Sequence, residues 1–169
     1  GMMADPAFRV ATGVYFVAFI GLAIALVALH GHFAPRFGRY GLIAFLVAFA
    51  GTMTQGGNMW FDGFAGPWIA EVAPQAITAE KTITLQVGAL SAYVLFALGW
   101  MMFGVALLRA RVVPAALAVG VVVGGALGFR SGLPPFGIPI GLAVAAVGVA
   151  LVRSTAPVPE AERAQRPRV

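Results

Sequence analysis

The sequence predicts an all-α integral membrane protein, a bundle of five transmembrane helices, on three observations. Of its 169 residues 60% are hydrophobic and 10% charged, against roughly 25% charged in soluble domains. A soluble core of this size could not bury so much apolar surface, whereas lipid lets the outer faces of helices be apolar too. The apolar residues fall into five runs, about 10–29, 40–62, 83–108, 112–129 and 136–152, at or near the 17–25 residues that cross a bilayer. The basic residues lie between those runs, as in cytoplasmic loops. Residues 1–153 are read as one membrane domain and 154–169 as a disordered cytoplasmic tail rich in Pro and Arg.

The first run, 10–29, lacks a basic leader and is too long for the core of a signal peptide. Gly1, ahead of Met2 and Met3, reads as a cloning remnant. His30 to Arg39, with Gly31, Pro35 and Gly38, reads as the first connection. The second run is fully apolar from Tyr40 to about Ala50 and mixed beyond. Residues 59–81 form the longest connection and carry Trp60, Phe61, Phe64 and Trp68, suited to a membrane–water interface. Pro67 there is expected to open a short helix lying flat on the outer surface.

The third run is the longest. Arg109 to Arg111 forms a short link to the fourth run, whose first turn takes Pro114. Ser131-Gly132-Leu133-Pro134-Pro135 is a strong break before the fifth run. The last two runs are short, consistent with two untilted spans or one re-entrant hairpin.

Orientation follows from the ten arginines and one lysine. Arg36, Arg39, Arg109, Arg111, Arg153, Arg163, Arg166 and Arg168 fall on one side, and Arg9, Lys81 and Arg130 on the other. The positive-inside rule puts the first side in the cytoplasm, with the N-terminus outside and the C-terminus inside. The Ala-, Gly- and Arg-rich composition suggests a GC-rich genome and a bacterial inner membrane. The isoelectric point near 10.8 does not imply nucleic-acid binding, because no basic stripe is interleaved with aromatics.

Two sets of residues point beyond the bilayer. Gly120, Gly124 and Gly128, then Gly137, Gly141 and Ala145, form small-residue stripes for close helix packing, within one chain or in a homo-oligomer. Polar residues at membrane depth form a seam. Gln55, Asn58 and Asp62 share a face of the second helix with Gly51, and Thr82, Gln86 and Tyr93 share a face of the third. Tyr15 and Thr12 sit on the first helix. At about 1.5 Å per residue, a second helix starting at Tyr40 and a third starting at Lys81 bring Gln55 and Gln86 to one depth. They are expected to face each other, with Lys81 near Asp62. An amide in hydrocarbon needs a partner, so the seam is either packing glue or the lining of an outer-leaflet pocket.

Other chemistry finds little support. The absence of cysteine excludes disulfides, thiolate catalysis and Cys-ligated metals. His30 and His32, two residues apart at one helix end, are a poor metal or haem pair and are expected to meet anionic lipid heads with Arg36 and Arg39. Ser91, Ser131 and Ser154 lack a nucleophile-elbow pattern, and Glu71 and Glu80 read as solvated. The favoured function is binding of a small molecule or lipid in an outer polar pocket between the first three helices. The alternatives are a homo-oligomeric transporter or channel subunit, and a non-catalytic subunit of a membrane complex.

Overall fold

The computed structural model describes residues 5–132 and 135–155. Gly1, Leu133-Pro134 of the last break and residues 156–169 of the expected disordered tail lie outside them, whereas Ser154 and Thr155, expected to begin that tail, end the last helix. Among the described residues all regular structure is helical: α1 (Pro6–Trp60), α2 (Gly66–Val72), α3 (Pro74–Thr78), α4 (Ile83–Ala110), α5 (Ala115–Leu127) and α6 (Ile138–Thr155). A π-helical turn at Phe61–Ala65 follows α1 and a 3-10 turn at Gly128–Arg130 follows α5.

α1 is a hairpin. It starts on Pro6 beneath the cap of Asp5, whose carboxylate accepts from Ala7 N at 2.9 Å. At Gly38 the backbone leaves the helical region (φ +57°, ψ −161°), a conformation that glycine adopts at little cost. That residue divides α1 into limbs α1a (residues 6–37) and α1b (39–60). The limbs run antiparallel, since His30 stacks on Phe45 at 4.2 Å and the position of a Cβ on Gly56 lies 3.4 Å from Phe19. The connection expected over His30 to Arg39 is therefore one residue. Pro35 stays inside the helix because Gly38 supplies the reversal.

The far end of α1b also departs from expectation. The backbone stays helical through the π turn and Gly66 into α2, so the helix opened at Pro67 prolongs α1b rather than branching off flat. Phe16 packs edge-on to Phe64 at 6.0 Å, and Arg9 pairs with Glu71 at 2.8 Å. α1a thus accompanies the prolonged limb to its end, and Glu71 is not simply solvated.

The remaining helices alternate in direction, and glycines set their spacing. Gly51 of α1b lies against the Leu95 and Phe96 backbone, and Gly99 of α4 against the Ala48 backbone, so closely that neither position has room for a Cβ. Gly104 and Gly125 do the same between α4 and α5, and Gly124 between α5 and α6. The core between them holds Phe19, Phe96, Trp100 and Phe103. Gly124 acts as its stripe predicts, Gly120 meets Ala143 at ordinary contact distance, and Gly141 faces open space. Gly128 and Gly137 of the stripes also leave no room for a Cβ, against the Phe96 and Tyr15 rings, while comparably close backbone approaches at Gly51, Gly99, Gly104 and Gly125 lie outside the stripes.

Two stretches, Pro6–Val72 and Ile83–Ala110, are long and apolar enough to cross a membrane. Their outer faces are apolar: Val10, Val14, Val17 and Ile24 are 64–68% exposed. α5 has 13 residues against 28 in α4. At about 1.5 Å per residue α5 is less than half as long, so the turn after it lies well below the N-terminal end of α4.

Candidate functional site

The polar residues of the second helix and those of the third separate in space. Gly51, Phe96 and Gly128 form one layer, because a Cβ on either glycine would strike the Phe96 residue. Gln55 lies one turn beyond that layer on α1b, and Ser131 three residues beyond it on the chain leaving α5. Both side chains are fully buried. The Gln55 carbonyl accepts from the Asn58 amide at 3.2 Å, a bond within one helix face. Among the described residues, Gln55 Nε2 and Ser131 Oγ have no hydrogen-bond partner.

The turn after α5 brings the tyrosines to this level. A Cβ on Gly132 would stand 2.7 Å from the Tyr93 hydroxyl and 3.3 Å from Met59 Cε. One on Gly137 would stand 2.8 Å from the Tyr15 ring. Tyr93, Met59 and Tyr15 thus border the turn that closes the short α5–α6 pair, near the level of Gln55. Ser131, set aside on sequence because it lacks a nucleophile pattern, is the buried hydroxyl of that turn. Its burial arises from the shortness of α5, which the hydropathy pattern alone does not convert into depth.

Gln86 and Thr82 do not join them. With Gly51 opposite Phe96 and Gly99 opposite Ala48, Gln55 falls level with Ala92. Gln86 lies six residues further along α4, roughly 9 Å. It is exposed, and its amide donates to the Lys81 carbonyl at 2.9 Å. Thr82 is also exposed and caps α4, accepting from Leu85 N at 3.4 Å. The facing of Gln55 and Gln86 is therefore corrected. The depth estimate assumed that α4 enters the apolar layer at its first residue, whereas α4 projects beyond the turns of the shorter helices. Asp62 sits half-buried in the π turn, close enough to Lys81 to feel its charge.

A second polar contact went unread in the sequence. Trp100 Nε1 donates to Thr52 Oγ1 at 3.0 Å, and Thr52 donates to the Ala48 carbonyl at 2.7 Å, all fully buried. Thr52 lies one position off the Gly51–Gln55–Asn58–Asp62 face, so a search along that face passes it by.

Three apolar cavities lie along the flanks of α1a. One of about 480 Å³ is bounded by Phe16, Phe19, Ile20, Met53, Gly57 and Trp60, between the two limbs. Another, of about 430 Å³, opens between α1a and α6 along Tyr15, Ala18, Phe19, Leu22 and Gly141. A third, of about 310 Å³, continues the gap between the same helices down to His32 and Val152. Gln55, Asn58 and Asp62 line none of the three. His32 therefore faces α6, while His30 packs inside the hairpin on Phe45. The His30 ring is half-buried and stacks on Phe45 of α1b. No family model matches this chain, and neither the curated proteins nor the solved structures compared with it give a match.

Proposed function

We propose that this chain is a multi-pass membrane protein that holds a lipid-like apolar molecule in the grooves beside α1a, in the outer half of a five-span bundle. The observation that carries the reading is the pair of apolar grooves, about 480 and 430 Å³, sharing Phe19 as a common wall. Both volumes fall in the 300–1,000 Å³ range of ligand pockets. Their walls match an acyl chain or a comparable hydrocarbon, and Tyr15 at the rim offers a hydroxyl to a polar head.

Several features support five spans, with the Gly38 end in the cytoplasm. α1a, α1b, α4, α5 and α6 alternate in direction, their outer faces are apolar, and Trp60, Phe64 and Trp68 are exposed near one end of the hairpin, as in an interfacial aromatic belt. Arg36, Arg39, Arg109, Arg111 and Arg153 belong to the opposite end, against Arg9, Lys81 and Arg130, which keeps the sign of the charge asymmetry. Localisation in a bacterial inner membrane is part of the same reading.

The test is native mass spectrometry of the protein released from lipid, comparing wild type with Gly57→Leu and Gly141→Leu. Each glycine borders a groove, and a Cβ there meets nothing within 4 Å, so leucine fills the space without overpacking. Wild type is expected to retain a lipid-mass adduct that one or both variants lose, with the thermal midpoint unchanged or raised. An adduct kept in both variants, or absent from wild type, overturns the reading. A dimer that dissociates on Gly141→Leu would instead assign the α1a–α6 gap to a second copy of the chain.

A further inference from the structure

The opposite end of the bundle carries a recess of a different chemistry. It measures about 200 Å³ and is walled by Arg36, Phe37, Tyr40, Ala106, Arg109 and Ala110, where the Gly38 reversal meets the C-terminal end of α4. Arg36 and Arg109 both border this one small space. The Arg109 guanidinium carbon stands 4.9 Å from the centre of the Tyr40 ring. That cation–π contact holds the planar fork in place before any ligand arrives.

Like charges sharing a recess repel unless something neutralises them, and the described residues offer no carboxylate at this end. Asp5 caps α1, Glu71 pairs with Arg9, Asp62 lies in the π turn and Glu80 precedes α4, all at the far end. Glu160 and Glu162 lie outside the described residues. The only reversal between the limbs is at Gly38, which is why Arg36 of α1a and Tyr40 of α1b sit within one turn of each other across the bend. Arginine forks match phosphate oxygens two at a time. Basic pockets between helices at the cytoplasmic boundary are sites for lipid phosphate heads.

We propose that Arg36 and Arg109, with Tyr40 as the platform, form a binding site for a phosphate-ester anion. The site is separate from the grooves beside α1a and differs from them in chemistry, since its ligand is recognised by charge. In a membrane the phosphate belongs to an anionic lipid head; in solution it is a free phosphate. Both are read by the same two guanidinium groups. Only the lipid source depends on the transmembrane reading, and the experiment is arranged so that the two can fail separately.

The full chain in neutral detergent is titrated with phosphatidylglycerol, with phosphatidylcholine and with inorganic phosphate, and bound ligand is counted by native mass spectrometry. Arg36→Gln and Arg109→Gln are compared with wild type and with Arg153→Gln, a basic residue of the same end that does not line the recess. Wild type is expected to bind one phosphatidylglycerol at least tenfold more tightly than phosphatidylcholine. Each recess variant should lose that preference, Arg153→Gln should keep it, and Tyr40→Phe should keep it because the ring remains. Competition by millimolar inorganic phosphate alone would assign the site to free phosphate and still support it. Equal binding of the two lipids by wild type, or an equal loss in Arg153→Gln, overturns the proposal. Because micelles suffice, a negative result here leaves the lateral grooves untouched, and failure of the groove variants to lose their adduct leaves this site standing.

Discussion

Gly38 reverses the chain with no room problem at all, since a Cβ there would meet nothing within 4 Å. What bars other residues is the positive φ of 57°. Gly38→Ala should therefore destabilise the protein by about 1–3 kcal/mol through backbone strain. Gly21→Ala, in an exposed stretch of α1a with equal open space, should be neutral or gain up to about 1 kcal/mol from helix propensity. Thermal unfolding in detergent separates the two, and equal effects would remove the special role of the bend. Thr52 makes a second residue-scale case. Thr52→Val keeps the shape but leaves the buried Trp100 N–H without its acceptor, at an expected cost of about 1–3 kcal/mol. In a double-mutant cycle with Trp100→Phe the two losses should fall short of additive, because the second change removes the stranded donor.

At the scale of elements, glycines divide into those that set helix spacing and those that border open space. Gly51 and Gly99 lie against the backbone of the facing helix, so a Cβ at either position must push α1b and α4 apart. Gly51→Ala and Gly99→Ala are expected to cost about 1–3 kcal/mol each by overpacking. Gly148→Ala, which borders the α1a–α6 gap and meets nothing within 4 Å, should cost nothing measurable. If all three variants unfold at the wild-type temperature, the close approach of α1b and α4 is not what the glycines serve. The same distinction shows how far the sequence could be read. The runs of apolar residues located the helices, but the 22 glycines carry no mark of which side they face. The stripe in α5 therefore pointed to Gly124 correctly, while Gly99 and Gly104 of α4 passed unnoticed.

For the whole molecule the expected arrangement is an N-terminus outside and a C-terminus inside. A single cysteine introduced at the exposed Gln75 of α3 should react with a membrane-impermeant maleimide added to intact cells, and one at Arg163 should not. The reverse pattern would invert the orientation and with it the side on which the Arg36–Arg109 recess lies. The sequence alone established the helical class, the helix content of each apolar run and the charge asymmetry between the two ends. Those follow from hydropathy and residue type, which are local properties of the chain. The partners of the polar residues were decided by tertiary structure. Gln55 and Gln86 share a depth only if every helix starts at one plane. Instead α4 overshoots the short α5 and α6, so Gln86 emerges at the surface while Gln55 is buried level with Ala92. The turn after α5 then brings Ser131, Tyr93 and Tyr15 to that level. Differences in helix length act through packing register, which sets neighbours across the bundle and leaves no pattern along the chain.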